Sequence, residues 1–362
     1  MGRRGAPVTR GVKSEVPARL AVKRLGEYRA PIEGRAGKLR LDFNENTVGC
    51  SPVVRRALAR MTREKLAMYP EYEATTRRLA RFFGVRPAEL VLANGADDAL
   101  RLIADTYVEK GSAVLLAEPT FTMYRFYAEL AGARVVALRY DHSMRFPLDQ
   151  ALQALRRRPR VLFLANPNNP TGTLLALESL RRILAGAPQT LVVVDEAYYE
   201  FSHATVLPWI RRFGNLVVVR TFSKAAGLAG LRLGCLFASQ EVMDVMRRAC
   251  SPFPVNTAAL VAAEAAVRDA RFVRNYAREV TRSKQALAGA LERMKIPVFP
   301  SAGNFLLADF GVRAPRLLTG LERQGILLRD RSSDFGRAGY VRITVGTRAQ
   351  TQRLIGALKR LW

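Results

Sequence analysis

The chain contains 362 residues, of which 49% are hydrophobic and 25% charged, and its formal net charge is +27. This composition is typical of a soluble globular protein, and no apolar run approaches the roughly 18 residues of a membrane-spanning helix. The arginines are spread along the whole chain, which indicates a compositional bias rather than a nucleic-acid-binding face. A positive field would still speed encounters with anionic substrates. Three cysteines without a Cys-x-x-Cys pattern and two isolated histidines predict neither disulfides nor a metal site, and favour a cytoplasmic protein.

The N-terminal segment, residues 1–25, is rich in arginine and nearly free of acids. It has no apolar stretch that could form the core of a signal peptide, and we expect a disordered basic tail. The remainder divides after Pro252–Pro254, where the alternation of short apolar runs with amphipathic segments gives way to long helical patterns. We therefore expect a large domain followed by a smaller one.

Four apolar runs in the first part lack polar alternation, as do strands that are buried on both faces of a parallel sheet. They are Ala113–Ala117, Val161–Ala165, Leu191–Val194 and Leu216–Val219. The intervening patterns predict helices near 97–108, 122–131, 149–157 and 176–185. Because ligands bind at the carboxyl ends of the strands in such sheets, residues just after these runs should meet at one edge.

The last part predicts a smaller α+β domain. Its helical patterns cover 257–268 and 271–294, its apolar runs Phe305–Ala308 and Val341–Val345 predict strands, and a final helix is expected near 348–361.

Lys224 carries the strongest chemical signal. It stands beside the hydroxyl residues Thr221 and Ser223 and shortly before Arg232. An amine in this setting can form a Schiff base, while the hydroxyls and the guanidinium can bind an anion. Asn-Pro-Asn-Asn-Pro-Thr-Gly (166–172) and Asp-Glu-Ala-Tyr (195–198) each follow a predicted strand, so three strand ends deliver chemical groups to one edge.

The ordered set of motifs resembles the fold-type I, class I/II aminotransferases, which depend on pyridoxal 5'-phosphate (PLP), and within them the histidinol-phosphate aminotransferases. The resemblance covers the chain from about residue 28 to the C-terminus. Its motifs are Asn44-Glu-Asn46, Tyr69-Pro-Glu71, Asn94-Gly-Ala-Asp-Asp98, Pro119-Thr-Phe-Thr-Met-Tyr124, Pro167-Asn-Asn-Pro-Thr-Gly172, Asp195-Glu-Ala-Tyr198, Ser223-Lys224 with Arg232, and Arg342-Ile-Thr-Val-Gly-Thr347.

This resemblance implies an α/β three-layer PLP-transferase fold, with a mostly parallel central sheet and a smaller α+β C-terminal domain. It divides the chain into an N-terminal arm joining the small domain (26–45), a large PLP-binding domain (46–254) and a small domain (255–362). It also implies a homodimer with shared active sites, to which Tyr69 contributes by reaching the cofactor phosphate of the neighbouring subunit.

The cofactor's needs assign the remaining PLP residues. A buried carboxylate keeps the pyridine nitrogen protonated, and Asp195 is the candidate. Tyr198 and Asn169 should bind the phenolic oxygen, while Phe121 and Ala197 should pack on the two ring faces. The phosphate requires donors, which we expect from Gly95, Ala96 and Asp97 at a helix start and from Thr221, Ser223 and Arg232. Lys224 would hold the cofactor and carry protons, with Asp195 and Tyr198 as its catalytic partners.

Substrate residues follow from the resemblance alone. Arg342 matches the arginine that binds the α-carboxylate, and Arg329 matches a substrate-phosphate arginine. Tyr28 is similar to a tyrosine that contacts the same phosphate, and Asn44 and Asn169 are also expected at the substrate. Thr47 and Cys50, where many relatives have proline, depart from the pattern near the substrate entrance.

The expected reaction is transamination of L-histidinol phosphate with 2-oxoglutarate, giving imidazole-acetol phosphate and glutamate. An aromatic or other amino-acid aminotransferase, or a phosphothreonine decarboxylase, would share almost every motif. A DNA-binding regulator of the same fold is the alternative from another class. It would need an N-terminal DNA-binding domain, and at most about 40 residues precede the first motif. We therefore expect small-molecule substrates and neither a specific nucleic acid nor a membrane as partner.

Overall fold

The structure of the protein is a computed structural model that describes residues 16–27 and 31–362. Thirteen strands occur in these residues: β1 Leu39–Arg40, β2 Leu90–Ala93, β3 Ala113–Glu118, β4 Arg134–Arg139, β5 Val161–Ala165, β6 Leu191–Asp195, β7 Leu216–Thr221, β8 Gly234–Phe237, β9 Val298–Phe299, β10 Phe305–Asp309, β11 Ile326–Leu327, β12 Arg329–Asp330 and β13 Tyr340–Thr344.

The same residues form fourteen α-helices: α1 Leu20–Arg24, α2 Pro52–Ala59, α3 Arg63–Ala67, α4 Glu73–Phe83, α5 Gly95–Tyr107, α6 Thr122–Leu130, α7 Leu148–Leu155, α8 Leu177–Gly186, α9 Tyr199–Ser202, α10 Gln240–Ala249, α11 Thr257–Arg268, α12 Ala270–Arg293, α13 Ala314–Arg323 and α14 Arg348–Leu361. None of these helices combines the length and the hydropathy needed to cross a membrane.

The large sheet has seven strands in the order β2-β8-β7-β6-β5-β3-β4. The five strands from β7 to β4 are parallel, and β8 runs antiparallel to both of its neighbours. The four uninterrupted apolar runs of the sequence are β3, β5, β6 and β7. Their valines and leucines are buried because one apolar cluster covers each face of the sheet. The expected α/β layering is thereby confirmed.

The small sheet is antiparallel, with strand order β12-β13-β10-β9, and packs with α12, α13 and α14 around its own apolar cluster. The chain enters this region early, because β1 pairs in parallel with β11. An N-terminal segment therefore lies against the C-terminal part of the protein, and this pairing brings residues near 43 beside the carboxyl edge of the large sheet.

The N-terminal segment that we expect to be a disordered tail is described only from residue 16. Leu20–Arg24 form the short helix α1, and the Arg19 guanidinium donates to the carbonyl of Leu130 at 2.8 Å. Residues 1–15 lie outside the described residues.

Candidate active site

The candidate site lies at the carboxyl edge of the large sheet, where neighbouring parallel strands end. β5, β6 and β7 end at Ala165, Asp195 and Thr221, and they are adjacent in the sheet. Side chains that follow these strands therefore converge. The cavity at this edge brings together most of the predicted cofactor residues: Ala96, Asp97, Phe121, Asn169, Asp195, Ala197, Tyr198, Thr221, Ser223, Lys224 and Arg232.

Asp195 supplies a buried carboxylate, since only 5% of the surface of this residue is exposed. Its Oδ2 accepts a hydrogen bond from the Tyr124 hydroxyl at 2.7 Å, and its Oδ1 accepts one from the backbone N–H of Ala197 at 2.9 Å. Burial raises the pKa of Asp195 to about 6, although the hydrogen bond from Tyr124 opposes this rise. Because its hydrogen bonds come from a phenol and an amide, a cationic ligand group would stabilise the ionised form of this carboxyl.

Lys224 follows β7, and its amine lies against the segment that follows β1. Nζ donates a hydrogen bond to the backbone carbonyl of Phe43 at 3.0 Å. Burial, assisted by the charge of Arg342, lowers the pKa of Lys224 to about 8. A fraction of such amines is neutral near neutral pH, and a neutral amine can act both as a nucleophile and as a proton acceptor.

An anion cradle lies beside the lysine, where α5 begins. Gly95 has a φ of +83°, and a Cβ added there would lie 2.6 Å from Nη2 of Arg232. That nitrogen donates to Oδ2 of Asp97 at 2.9 Å. The hydroxyls of Thr221 and Ser223 lie 3.0 Å apart in the same cavity. The N–H groups at the start of α5, the two hydroxyls and the guanidinium form a donor set suited to a phosphate. Only glycine at position 95 leaves room for the guanidinium of Arg232.

The hydroxyl of Tyr198 is held in place by Asn44, which lies in the segment after β1. Its hydroxyl oxygen accepts a hydrogen bond from Nδ2 of Asn44 at 2.9 Å, and Oδ1 of Asn44 accepts one from the Thr344 hydroxyl at 3.0 Å. Asn44 is fully buried, so both ends of its amide are used within the protein. The hydrogen of the Tyr198 hydroxyl is thereby left to be donated toward the cavity.

Arg342 joins the small sheet to the cavity. Its Nη1 donates to Oδ1 of Asn169 at 2.6 Å, and its Nη2 donates to the backbone carbonyl of Asp42. Within the described residues its buried Nε has no hydrogen-bond partner. Burial lowers the pKa of Arg342 to about 10. Arg329 lies directly opposite Arg342 in the β12–β13 pair, with its guanidinium 5.4 Å from the Phe43 ring centre.

Tyr69 lies away from the cavity that surrounds Lys224. Tyr69 is 77% exposed and stacks on Phe253 at 4.3 Å between ring centres. It lines a separate cleft of about 580 Å³ with Met68 and Arg268. This cleft is larger than the cavity around Lys224 but contains no other predicted site residue. Tyr28 lies outside the described residues.

Sequence reasoning assigned no role to three residues that shape the site. Tyr124 donates to Asp195, the Phe43 carbonyl receives the lysine, and Thr344 orients Asn44. Tyr124 could have been found, since it lies in the first turn of the helix that follows Phe121. The other two contacts depend on tertiary structure, because a backbone carbonyl carries no sequence signal and Thr344 lies 300 residues from its partner.

Fold and site together define a lysine-based enzyme of the aminotransferase type, and the chain belongs to the aminotransferase class I and II family, whose sequence model matches residues 36–358. A histidinol-phosphate aminotransferase from Symbiobacterium thermophilum is 39% identical over 355 residues, covering 94% of this chain and 97% of that protein.

Solved structures of similar enzymes superpose on the chain over most of its length. Histidinol-phosphate aminotransferase from Sinorhizobium meliloti, in complex with pyridoxal-5'-phosphate, superposes with a TM-score of 0.86 at 26% identity, covering 96% and 98% of the two chains. L-threonine-O-3-phosphate decarboxylase from Porphyromonas gingivalis superposes with a TM-score of 0.79 at 28% identity, covering 89% and 98%.

Proposed function

We propose that this protein is a PLP-dependent aminotransferase that acts on L-histidinol phosphate and 2-oxoglutarate. The observation that carries the proposal is the convergence of a lysine amine, a buried carboxylate and an anion cradle at one sheet edge, formed by Lys224, Asp195 and the Gly95–Arg232 contact. The names of the similar proteins support the choice of substrate.

The residues present fit PLP. The cradle at Gly95 would hold the phosphate, and Asp195 would pair with the ring nitrogen. The positive charge of that nitrogen would stabilise the ionised form of the buried Asp195 carboxyl. Phe121 and Ala197, which line the same cavity, would pack against the two ring faces. When bound, the cofactor supplies an aldehyde that captures an amino group and a ring that takes up the electron pair released from the substrate carbon.

The side chains of this chain would then bind, orient and move protons. Asp195 would keep the ring nitrogen protonated, and its hydrogen bond from Tyr124 fixes the direction of the carboxylate. Tyr198, held by Asn44, would donate its hydroxyl hydrogen to the cofactor oxygen, and Asn169, held by Arg342, would donate to the same oxygen. The amine of Lys224 would take the proton from the substrate carbon and deliver it to the cofactor, and it would move a proton in the opposite direction in the second half-reaction.

The substrate's anionic group would bind at Arg342 and Arg329. Arg342 is buried with its Nε unpaired within the described residues, so an anion there would gain a charge-assisted hydrogen bond that the protein itself does not supply. Its partner across the strand, Arg329, supplies a second cation. We also assign Asn44 and Tyr28 to this end of the site.

The working unit that we propose is a homodimer. Tyr69, Leu66 and Met68 expose 77%, 64% and 59% of their surfaces beside the half-exposed Phe253, and such an apolar patch suits a second copy of the chain. Tyr69 would reach the cradle of the partner from there. The three free cysteines favour a reducing compartment, and we propose a cytoplasmic location.

A second candidate is a phosphothreonine decarboxylase, which the similarity to the Porphyromonas gingivalis enzyme supports. That substrate also carries a phosphate and an amino group, so the cradle and the arginines would suit both reactions. The two reactions differ in which bond to the substrate carbon breaks: transamination removes a hydrogen, whereas decarboxylation removes the carboxylate.

The test adds a single substrate to the PLP-loaded protein without a keto acid. We expect histidinol phosphate at low concentration to abolish the visible absorption of the loaded enzyme, and phenylalanine to do so poorly. Full response to phenylalanine with none to histidinol phosphate would overturn the proposed substrate. Release of carbon dioxide from phosphothreonine would favour the decarboxylase, and failure to bind PLP would overturn the proposal as a whole.

A further inference from the structure

Three arginines lie together on the small sheet beside the cavity. Arg329 is directly opposite Arg342, and the N–H of Arg331 donates to the Tyr340 carbonyl at 2.8 Å, which continues the same ladder. Residues that are directly opposite, or two apart along a strand, share one face of a sheet. Arg329, Arg331 and Arg342 therefore form one patch, which reaches the cavity where Arg342 contacts Asn169.

Asp334 is the acid set against this patch. It forms an ion pair with Arg331, and the two side chains are only 19% and 10% exposed. Burial raises the pKa of Asp334, whereas Arg331, Arg342 and Arg329 each lower it, so the carboxylate interacts with all three arginines. Three positive charges less one negative charge leave the group with two.

This count covers the patch alone, because two acids on the segment after β1 pair with another arginine and form a separate group of net charge −1. Asp42 and Glu45 on the N-terminal segment both form ion pairs with Arg35, at 2.8 and 2.5 Å. The guanidinium of Arg35 lies 4.2 Å from the Phe43 ring centre, and that of Arg329 lies 5.4 Å from it. The Phe43 ring is thus a contact shared by Arg35 with its two acids and by the three-arginine patch.

Arg331 has unused capacity to bind. It is 9% exposed, and its buried Nε has no hydrogen-bond partner within the described residues. A buried donor without a hydrogen-bond partner destabilises the protein. A ligand oxygen would remove this cost by accepting a hydrogen bond from Nε, either in its present position or after a small movement of the side chain. The pairing with Asp334 satisfies only part of a guanidinium that has five N–H donors.

We propose that Arg331, held in place by Asp334, determines the preference of this site for a doubly charged phosphate over a carboxylate. The inference rests on the proposed function and extends it to a residue pair. The net charge of two on the patch matches a phosphate monoester, which carries about −1.5 to −2 at neutral pH. A carboxylate leaves one positive charge unmatched.

The charge count fixes the expected direction and proportion. Coulomb energy scales with the product of the charges. Removing one positive charge should therefore reduce the binding free energy of a dianion about twice as much as that of a monoanion. For Arg331→Met we expect the KM for histidinol phosphate to rise about 30-fold and that for glutamate about 5-fold, with kcat nearly unchanged. Asp334→Asn keeps a side-chain oxygen that can accept a hydrogen bond from Arg331 but removes the opposing charge, so it should shift the preference toward phosphate.

The experiment measures kcat and KM for both substrates, together with inhibition of the glutamate reaction by inorganic phosphate and by acetate. Arg331→Lys, which keeps the charge, should retain most of the preference. Arg337→Met is the matched control, since Arg337 is an exposed arginine of the same segment paired with Asp309. It should leave the phosphate-to-acetate ratio unchanged.

Equal losses for phosphate and carboxylate in Arg331→Met would mean a structural role only and would overturn the inference. So would a lost preference in Arg331→Lys, or an Asp334→Asn variant that loses preference for phosphate. If the unmodified enzyme fails to use histidinol phosphate but still prefers phosphate to acetate, the proposed function fails while the role of Arg331 stands. Should Arg331→Met not fold, the other two variants decide.

Discussion

The cofactor half and the substrate half of the site are built in different ways. The cofactor half lies at the ends of adjacent parallel strands, and its residues come from short stretches that each follow a strand. The substrate half joins parts of the chain that are far apart in sequence. Asn44 bonds to Tyr198 across 154 residues, and Arg342 bonds to Asn169 across 173.

This difference determines how each half should respond to substitution. A defect in the cofactor half should affect every substrate equally, because all substrates use the same cofactor. A defect in the substrate half should separate one substrate from another, as expected for Arg331. The two halves are linked by hydrogen bonds between the loops around the large and small sheets, so substitutions in this link should change the stability of the protein.

The largest effect is expected at Lys224. Lys224→Ala removes both the attachment point and the group that moves the proton, so kcat should fall by at least about 10³-fold for histidinol phosphate and glutamate alike. Single-turnover rates on the PLP-supplied variant measure this. Added methylamine, which can replace the missing amine, should restore part of the rate for both substrates. A loss confined to one substrate would break the comparison.

A smaller effect is expected at the phosphate cradle. In Gly95→Ala the new Cβ would meet the Arg232 guanidinium at 2.6 Å, at a backbone position with φ of +83°. We expect the dissociation constant for PLP to rise about 10–100-fold, through displacement of one charge-assisted contact. At saturating cofactor the KM values for both substrates should change little.

Gly84→Ala is the matched control for this variant. Gly84 also has a positive φ, +72°, but a Cβ there meets nothing within 4 Å. It should lower the melting temperature through backbone strain without weakening PLP binding. Equal losses of PLP affinity in the two variants would show that strain, and not the cradle, is responsible.

The centre of the fold was predictable because four strands of the large sheet are uninterrupted apolar runs and several helices have clear amphipathic periods. β3, β5, β6 and β7 each fall on a predicted run. The residues gathered at the sheet edge were predictable for the same reason, since a group that directly follows a buried parallel strand has only one place to go.

The remaining contacts of the site were not predictable from local patterns. The Phe43 carbonyl and Asn44 reach the site only because β1 pairs with β11. Arg331 is one arginine among many in this chain, and its partner Asp334 is three residues away in the short 3₁₀ helix Ser332–Phe335. Its relation to Arg342 requires the pairing of β12 with β13, which neither short strand signals by itself.

The smallest effect is expected at Lys284 on α12, which supports the link between the two halves. Its amine donates to the carbonyls of Ser301 and Gly303, at 2.5 and 2.7 Å. The loop that it holds contacts the Asn169 turn, because the N–H of Ala302 donates to the Gly172 carbonyl at 2.9 Å. Burial lowers the pKa of Lys284 to about 8.

This lowered pKa makes a prediction for Lys284→Met with a definite sign. Between about pH 8 and 10.5 the unfolded chain binds more protons at this lysine than the folded chain does, so its contribution to the free energy of unfolding rises with pH. Below about pH 8 both states are protonated and the cost of the buried charge is fully present. Denaturant unfolding of both proteins should therefore give a stability difference, wild type minus Lys284→Met, that grows from pH 8 to 10.5. Lys359→Met, which removes an exposed lysine of α14, is the matched control. A flat difference for Lys284→Met would mean that this amine is solvated in the folded protein, and that the contact between the two halves does not depend on it.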